Sequence, residues 1–191
     1  MKKNIQPDFL SEIERIVLKV IPDIKYRAKL QGIKTVENWQ DYLSEEALDK
    51  AKDVSISDQK YFIDFGGAIT NKLMHVMQEI YPEYTISDSG YYYYPKTGYM
   101  GWHTNSNRPS KRVYIVHSDG ESFFRYVKDD KIVTDYDGEG ITIREFDIPE
   151  LPDQFWHCVG SNCNRFSFGF RISGKICRCL FFIKSFVIIV F

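Results

Sequence analysis

The sequence predicts an α+β protein in which helices come first and a sandwich, jelly roll or barrel of short strands follows. Three observations carry that expectation. Apolar residues recur at three- and four-residue steps before about residue 84. Beyond Pro82 the texture turns to short strand-prone segments at close intervals. Turn-forming pairs separate those segments. With 191 residues, 43% of them apolar and 16% aromatic, the chain is long enough for one domain with a substantial core. Its 13 Tyr and 14 Phe favour strands where they cluster.

Three helices are expected. Residues 7–30 place Phe9, Ile13, Ile16, Val17 and Val20 on one stripe, and Pro22 is expected to break the run in two. Residues 35–51 carry Val36, Trp39, Tyr42, Leu43 and Leu48, with Thr35 as N-cap. Residues 68–81 align Ile69, Leu73, Val76, Met77 and Ile80, and Pro82 ends the run. The strands begin with Tyr91, Tyr92, Tyr93 and Tyr94. They continue at 99–103, 112–117, 121–127, 131–135, 140–147, 154–158 and 165–172, with turns at 96–98, 119–120, 129–130 and 137–138. Residues 1–174 thus read as a single domain, helical support over 1–84 and a β core over 85–174. Residues 175–191 form a hydrophobic tail. Arg178 and Lys184 interrupt it, and it falls short of the about 20 apolar residues a spanning helix needs, so a final strand or a terminus foreign to the domain is favoured over an anchor.

A net charge of −1 gives no global attraction to nucleic acid or to an anionic membrane. The N-terminus has two lysines but no apolar run behind them, so no secretory signal is read. Cys158, Cys163, Cys177 and Cys179 crowd the C-terminal end instead of spreading as a disulfide framework. That favours a reducing, cytoplasmic location, and their spacing fits no common zinc module.

The chemistry-bearing residues are few and ordered. His103 and Asn105 are separated by one residue at the end of a strand-prone run, so their side chains point the same way. A second imidazole, His157, follows 54 positions later. Arg165 lies eight residues beyond it, and Ser167 two further on the same strand face. In residues 165–172, Phe166, Phe168 and Phe170 take one face and Arg165, Ser167 and Gly169 the other. Two imidazoles and a third oxygen donor on one side of a metal leave the opposite side open, the arrangement of non-haem iron(II) oxygenases. A guanidinium's planar fork suits a carboxylate at the bottom of such a site.

The His103-Thr104-Asn105 run, the distal His157 and the Arg165-x-Ser167 pair resemble the Fe(II)/2-oxoglutarate-dependent dioxygenase superfamily over residues 87–172. The block from Gly101 to Asn107 resembles a small branch found in tailed phages and marine bacteria. The resemblance implies a double-stranded β-helix, with Fe(II) held by His103, Asn105 and His157 and with 2-oxoglutarate bound by Arg165 and Ser167. It also implies that Tyr92 or Tyr94 reaches the cosubstrate. The activity it implies consumes O2, converts 2-oxoglutarate to succinate and CO2, and hydroxylates a prime substrate, which the sequence leaves open between a small molecule and a protein side chain. One departure matters: the superfamily usually has Asp or Glu where this chain has Asn105, and an amide oxygen is a neutral, weaker ligand. Asn105 ligates through its oxygen, Asn107 or Asp119 substitutes, two histidines and water suffice, or the site is inactive. Two competing functions follow: a binding module of the same shape without turnover, and a cupin-like metalloprotein that does not use 2-oxoglutarate.

Other residues read as structural. His75 and His117 fit a helix and a strand end, and Trp102 and Trp156 fit rim packing. Arg125 is expected in a surface ion pair, and Lys111 with Arg112 forms a basic rim too small to signal nucleic acid.

Overall fold

A computed structural model of the chain describes residues 2–53, 60–66 and 71–175. The start of the third expected helix, Cys177, Cys179 and residues 176–191 of the tail lie outside the described residues. The elements run α1 (Pro7–Gln31), a 3₁₀ turn (Trp39–Leu43), α2 (Glu45–Asp53), β1 (Lys60–Tyr61), β2 (Ile63–Asp64), α3 (Asn71–Ile80), β3 (Tyr84–Tyr94), β4 (Tyr99–His103), β5 (Ser110–Lys128), β6 (Lys131–Ile148), β7 (His157–Ser161) and β8 (Arg165–Lys175).

The strands form a double-stranded β-helix. β5 and β6 are long antiparallel ribbons, and each serves two sheets. Residues 111–118 of β5 pair with β8, which pairs with β3. Residues 122–126 of β5 pair instead with β7, which pairs with β4. The switch falls where the β5–β6 register shifts between Gly120 and Phe123, and Gly120, Gly138 and Gly140 all take positive φ there. The segments expected as separate strands on either side of residues 119–120 and 137–138 are therefore limbs of continuous ribbons. Asp-Gly at those points bends a strand instead of ending it. The turn expected at 129–130 does close the β5–β6 hairpin: Asp129 and Asp130 have φ of 50° and 56°, as a two-residue hairpin turn demands.

Three apolar layers result. α1 and α3 cover the outer face of the β3–β8–β5 sheet, where Ile13, Val17, Leu73 and Met77 meet Phe166, Phe168 and Phe170. The 3₁₀ turn and α2 cover the other sheet through Trp39, Leu43 and Leu48 against Trp102, Trp156 and Cys158. Gly160 permits that approach, because a Cβ there would stand 2.5 Å from both the Trp39 and Phe123 rings. Between the sheets lies an aromatic interior that includes Tyr94, Phe124 and Phe146.

Two expectations about the helices are corrected. α1 passes through Pro22 unbroken, and its buried stripe continues from Ile13, Ile16 and Val17 to Ile21, Ile24 and Ala28. An internal proline costs about 3 kcal/mol, whereas each buried aliphatic side chain returns about 1.5–3 kcal/mol, so the stripe outweighs the defect. The second helix begins at Glu45, not near Thr35, because Ser44 is its cap: the Ala47 amide donates to Ser44 Oγ at 3.2 Å. The short strands β1 and β2, unforeseen, lie in the stretch read as helical support. No helix among the described residues is long and apolar enough to cross a membrane.

The N-terminal arm is tied to β6 by charge. Glu145 accepts from Lys3, from Tyr81 Oη at 2.6 Å and from Lys111 at 3.0 Å. Burial raises its pKa, but these three donors overcome that and hold it at about 2, below its ordinary 4.5. A depressed carboxylate contributes stability above its unfolded pKa and loses it as the folded group protonates. Glu145→Gln is therefore expected to cost about 1 kcal/mol at pH 7 after solvent screening. The difference from wild type should disappear between pH 4.5 and about 2 in acid-unfolding curves.

Candidate active site

His103 ends β4 and His157 begins β7, and the two are direct register partners. Their ring centroids lie 4.1 Å apart. Each ring is oriented from behind: His103 Nδ1 lies 2.8 Å from the Gly101 carbonyl and His157 Nδ1 lies 2.9 Å from the Phe155 carbonyl. A carbonyl only accepts, so both Nδ1 atoms carry the proton and both Nε2 atoms keep a lone pair, that of His157 facing the Asn105 side-chain amide at 3.2 Å. Burial lowers the pKa of His103, and Lys60 adds to the effect. Burial and the neighbouring His103 push that of His157 well below its usual value. Both rings are thus kept in the neutral, ligand-competent form.

Asn105 follows β4 in the left-handed region at φ 58°, a conformation asparagine tolerates better than most residues. The Arg108 amide donates to its carbonyl at 3.0 Å and closes the turn. Its side-chain amide reaches His157 Nε2 at 3.2 Å. Asp119 stands elsewhere, just before the bend of β5, where it lies 3.8 Å from Lys25 and accepts from Asn164 at 2.6 Å. Asn107 lies at the rim with Arg108. Among the described residues, no group of three or more His, Cys, Asp or Glu side chains gathers anywhere.

The two imidazoles open onto a narrow cleft between the sheets, with a cavity volume of about 20 Å³ and with Tyr92, Tyr94, Arg165 and Ser167 on its walls. Alternation along β8 and β3 puts these four on the interior face: Arg165 opposes Tyr94 and Ser167 opposes Tyr92. The Arg165 guanidinium lies 5.0 Å from the Tyr94 ring centroid. Burial pushes the Tyr94 phenol far above its ordinary pKa and that of Tyr92 to about 12, so both remain hydrogen-bond donors.

Sequence reasoning missed what lies beneath. Asp137 is fully buried between two guanidinium groups, accepting from Arg165 Nε at 2.9 Å and from Arg144 Nη1. Ser122 Oγ donates to it at 2.5 Å and contacts Ser118 Oγ at 2.9 Å. Burial opposes ionisation of Asp137, but Arg165 and Arg144 prevail and hold its pKa below the usual value. Arg144 and Arg165 are 0% and 2% exposed, and Arg165 Nη1 has no hydrogen-bond partner among the described residues. A clue was available in Arg144, since an arginine between Ile143 and Phe146 on a strand-prone segment demands a buried acid. Asp137, beside a glycine, reads only as a turn.

Other expected roles change. Arg125 forms no ion pair among the described residues; it donates to the Leu43 carbonyl at 2.9 Å and to Thr134 Oγ1 at 3.0 Å, tying the 3₁₀ turn to the sheet. Trp102 is buried against α2 and donates to the Ser44 carbonyl at 2.9 Å. Lys111 turns outward to Glu145 and Asp147, so it does not share a rim with Arg112. His75 is exposed on α3, and His117 packs against Phe166 at 6.2 Å between ring centroids.

No family model matches the chain, and no curated protein matches it in sequence. Solved structures similar to it include a prolyl-4-hydroxylase from Pseudomonas putida, at 15% identity and TM-score 0.41 over 61% of this chain and 68% of that one. Another is a prolyl hydroxylase from Trichoplax adhaerens in complex with a hypoxia inducible factor peptide fragment, at 12% identity and TM-score 0.43 over 88% and 94%. A third is an oxidoreductase of the 2OG-Fe(II) oxygenase family from Burkholderia pseudomallei, at 12% identity and TM-score 0.37 over 74% and 93%. The identities and TM-scores are low, and the double-stranded β-helix stands on the strand pairing of this chain itself.

Proposed function

We propose that this chain is an Fe(II)- and 2-oxoglutarate-dependent oxygenase, a hydroxylase that acts at a C–H bond of its substrate. The observation that carries the reading is the pairing of two neutral imidazoles, both with unprotonated Nε2, above a cleft floored by a guanidinium whose Nη1 has no partner among the described residues. This donor set fits the metal: His103 and His157 supply nitrogen ligands, and the Asn105 amide, turned to present its oxygen, completes one face. Arg165 fits the distal carboxylate of the cosubstrate. Asp137 bridges the two guanidinium groups and Asp135 lies 3.4 Å from Arg144, so the floor is near charge balance and Arg165 offers a fixed hydrogen-bonding fork.

When bound, iron and 2-oxoglutarate couple O2 reduction and oxidative decarboxylation to substrate hydroxylation. The chain's own share is positional. The Gly101 and Phe155 carbonyls fix the two rings, Asp137 holds Arg165 in place, and Tyr94 and Tyr92 present neutral phenols beside it. The aromatic ring of Phe124, 5.4 Å from His157, keeps that side of the site dry.

Under argon, purified protein with Fe(II) and 2-oxoglutarate is expected to show a weak visible metal-to-ligand charge-transfer band. Arg165→Ala should weaken 2-oxoglutarate binding by about a hundredfold, the loss of a bidentate charge-assisted contact. No band, together with unchanged affinity in the variant, would overturn the cosubstrate assignment. The contact of the Asn105 amide with His157 Nε2 favours a second reading, a binding module whose lone pair is spent within the protein. Succinate release above background in the absence of prime substrate separates the two: a turnover enzyme produces it and a binding module does not.

A further inference from the structure

The mouth of the barrel holds a second cleft, of about 360 Å³, that adjoins the imidazole pair through Asn105 and Tyr92. Its walls carry three arginines, Arg108, Arg112 and Arg171, with Ser89 between them and Asp88 at the edge. Arg112 and Arg171 are direct register partners on β5 and β8. Like charges placed opposite each other across a sheet destabilise it, and a structural pair would have a carboxylate between them. Here the bonds go to neutral oxygens instead. Arg112 donates to Ser89 Oγ and to the Arg108 carbonyl at 2.7 Å, and Arg171 Nε donates to the Asp88 carbonyl at 3.2 Å.

Arg112 is only 4% exposed, and its Nε has no hydrogen-bond partner among the described residues. A buried, unsatisfied guanidinium beside two others is costly unless an anion completes it. Along β8, Arg165 at the floor and Arg171 at the mouth are six residues apart, about 20 Å on one face of the strand. The floor and the mouth are therefore separate anion positions: the two imidazoles line the cleft that holds Arg165, and Tyr92 and Asn105 join it to the mouth.

We propose that the mouth cleft binds the anionic group of the substrate, a phosphate or carboxylate carried on a small molecule, through Arg108, Arg112 and Arg171. The attached carbon skeleton then extends inward past Asn105 and Tyr92. The placement of that skeleton rests on the oxygenase reading, whereas the anion site does not. A small molecule fits better than a nucleic acid, because the chain's net charge is −1 and Asp88 closes one edge against a continuing polyanion.

The test is calorimetric titration of the full chain, saturated with 2-oxoglutarate, at constant ionic strength. Inorganic phosphate is titrated first and acetate in a separate arm. Wild type, Arg108→Gln/Arg171→Gln, Arg165→Ala and the hairpin-tip control Lys128→Gln are compared, and thermal melts verify folding. Saturable binding of either anion is expected, weakened about tenfold or more in the double variant and unchanged in the control. The tighter of the two anions identifies the group. Absence of binding, equal binding in the double variant, or loss confined to Arg165→Ala would overturn the proposal. So would a twelve-nucleotide single strand that binds more than about a hundredfold tighter than phosphate through the same arginines. The charge-transfer band, recorded on the same preparation, keeps the two readings apart. Anion binding without a band leaves the site standing and removes the oxygenase, and a band without anion binding does the reverse.

Discussion

His157→Phe is expected to abolish Fe(II) binding while leaving the fold intact. The ring of His157 packs among Phe124, Phe146 and Phe155, with centroids 5.2–5.7 Å away, so a phenyl group keeps the packing and removes only the lone pair. Loss of a partner outside the ligand sphere already costs about ten- to a hundredfold in metal affinity, so loss of a ligand should exceed a hundredfold. Apo melting temperatures should stay within a few degrees of wild type, and anaerobic titration should show the deficit. Asn105→Asp moves the other way. It adds a negative charge beside two neutral imidazoles without lengthening the side chain, and should tighten Fe(II) binding by about tenfold in the absence of 2-oxoglutarate. Weakened binding in that variant would mean that Asn105 does not face the ion.

The sequence made the alternating parts of this protein legible. Phe166, Phe168 and Phe170 point to the helices and Arg165 and Ser167 to the interior because side chains on a strand have period two, and no tertiary contact competes with that. The convergence of His103 and His157 was readable as order and spacing, although the register that makes them neighbours is a property of the β4–β7 pairing. What was not legible depended on continuity. Asp137-Gly138 carries the signature of a turn, and only the long partner ribbon β5 keeps the strand running through it, which turns the Asp137 side chain inward. Pro22 failed as a breaker for a similar reason, since burial against the sheet outweighed a local defect. Arg112 read as a rim charge beside Lys111, but adjacent residues on a strand face opposite ways, and that separates the pair.

The buried acid carries the second large effect. Asp137→Ala removes the partner of Arg165 Nε and of Arg144 Nη1, leaving Arg144 with Asp135 at 3.4 Å and Arg165 buried with no acid among the described residues. Breaking a buried pair by deleting one member costs about 3–5 kcal/mol, against a net stability of about 5–15 kcal/mol for a domain. The urea midpoint should fall accordingly, with unfolding losing much of its margin at 37 °C. A packing defect alone would cost less, because Asp is small and few atoms are removed. The double variant Asp137→Leu/Arg144→Met distinguishes the causes. If unpaired charge is the cost, deleting one cation with the anion should recover part of the loss, a coupling of about 1–3 kcal/mol within the network. If Asp137 matters only for shape, the double variant should be no more stable than Asp137→Ala. The same variant isolates the role of Arg165. Freed from its acid but still charged, it should keep its attraction for a carboxylate yet lose its fixed orientation, so 2-oxoglutarate should bind with about tenfold lower affinity while Arg165→Ala loses far more.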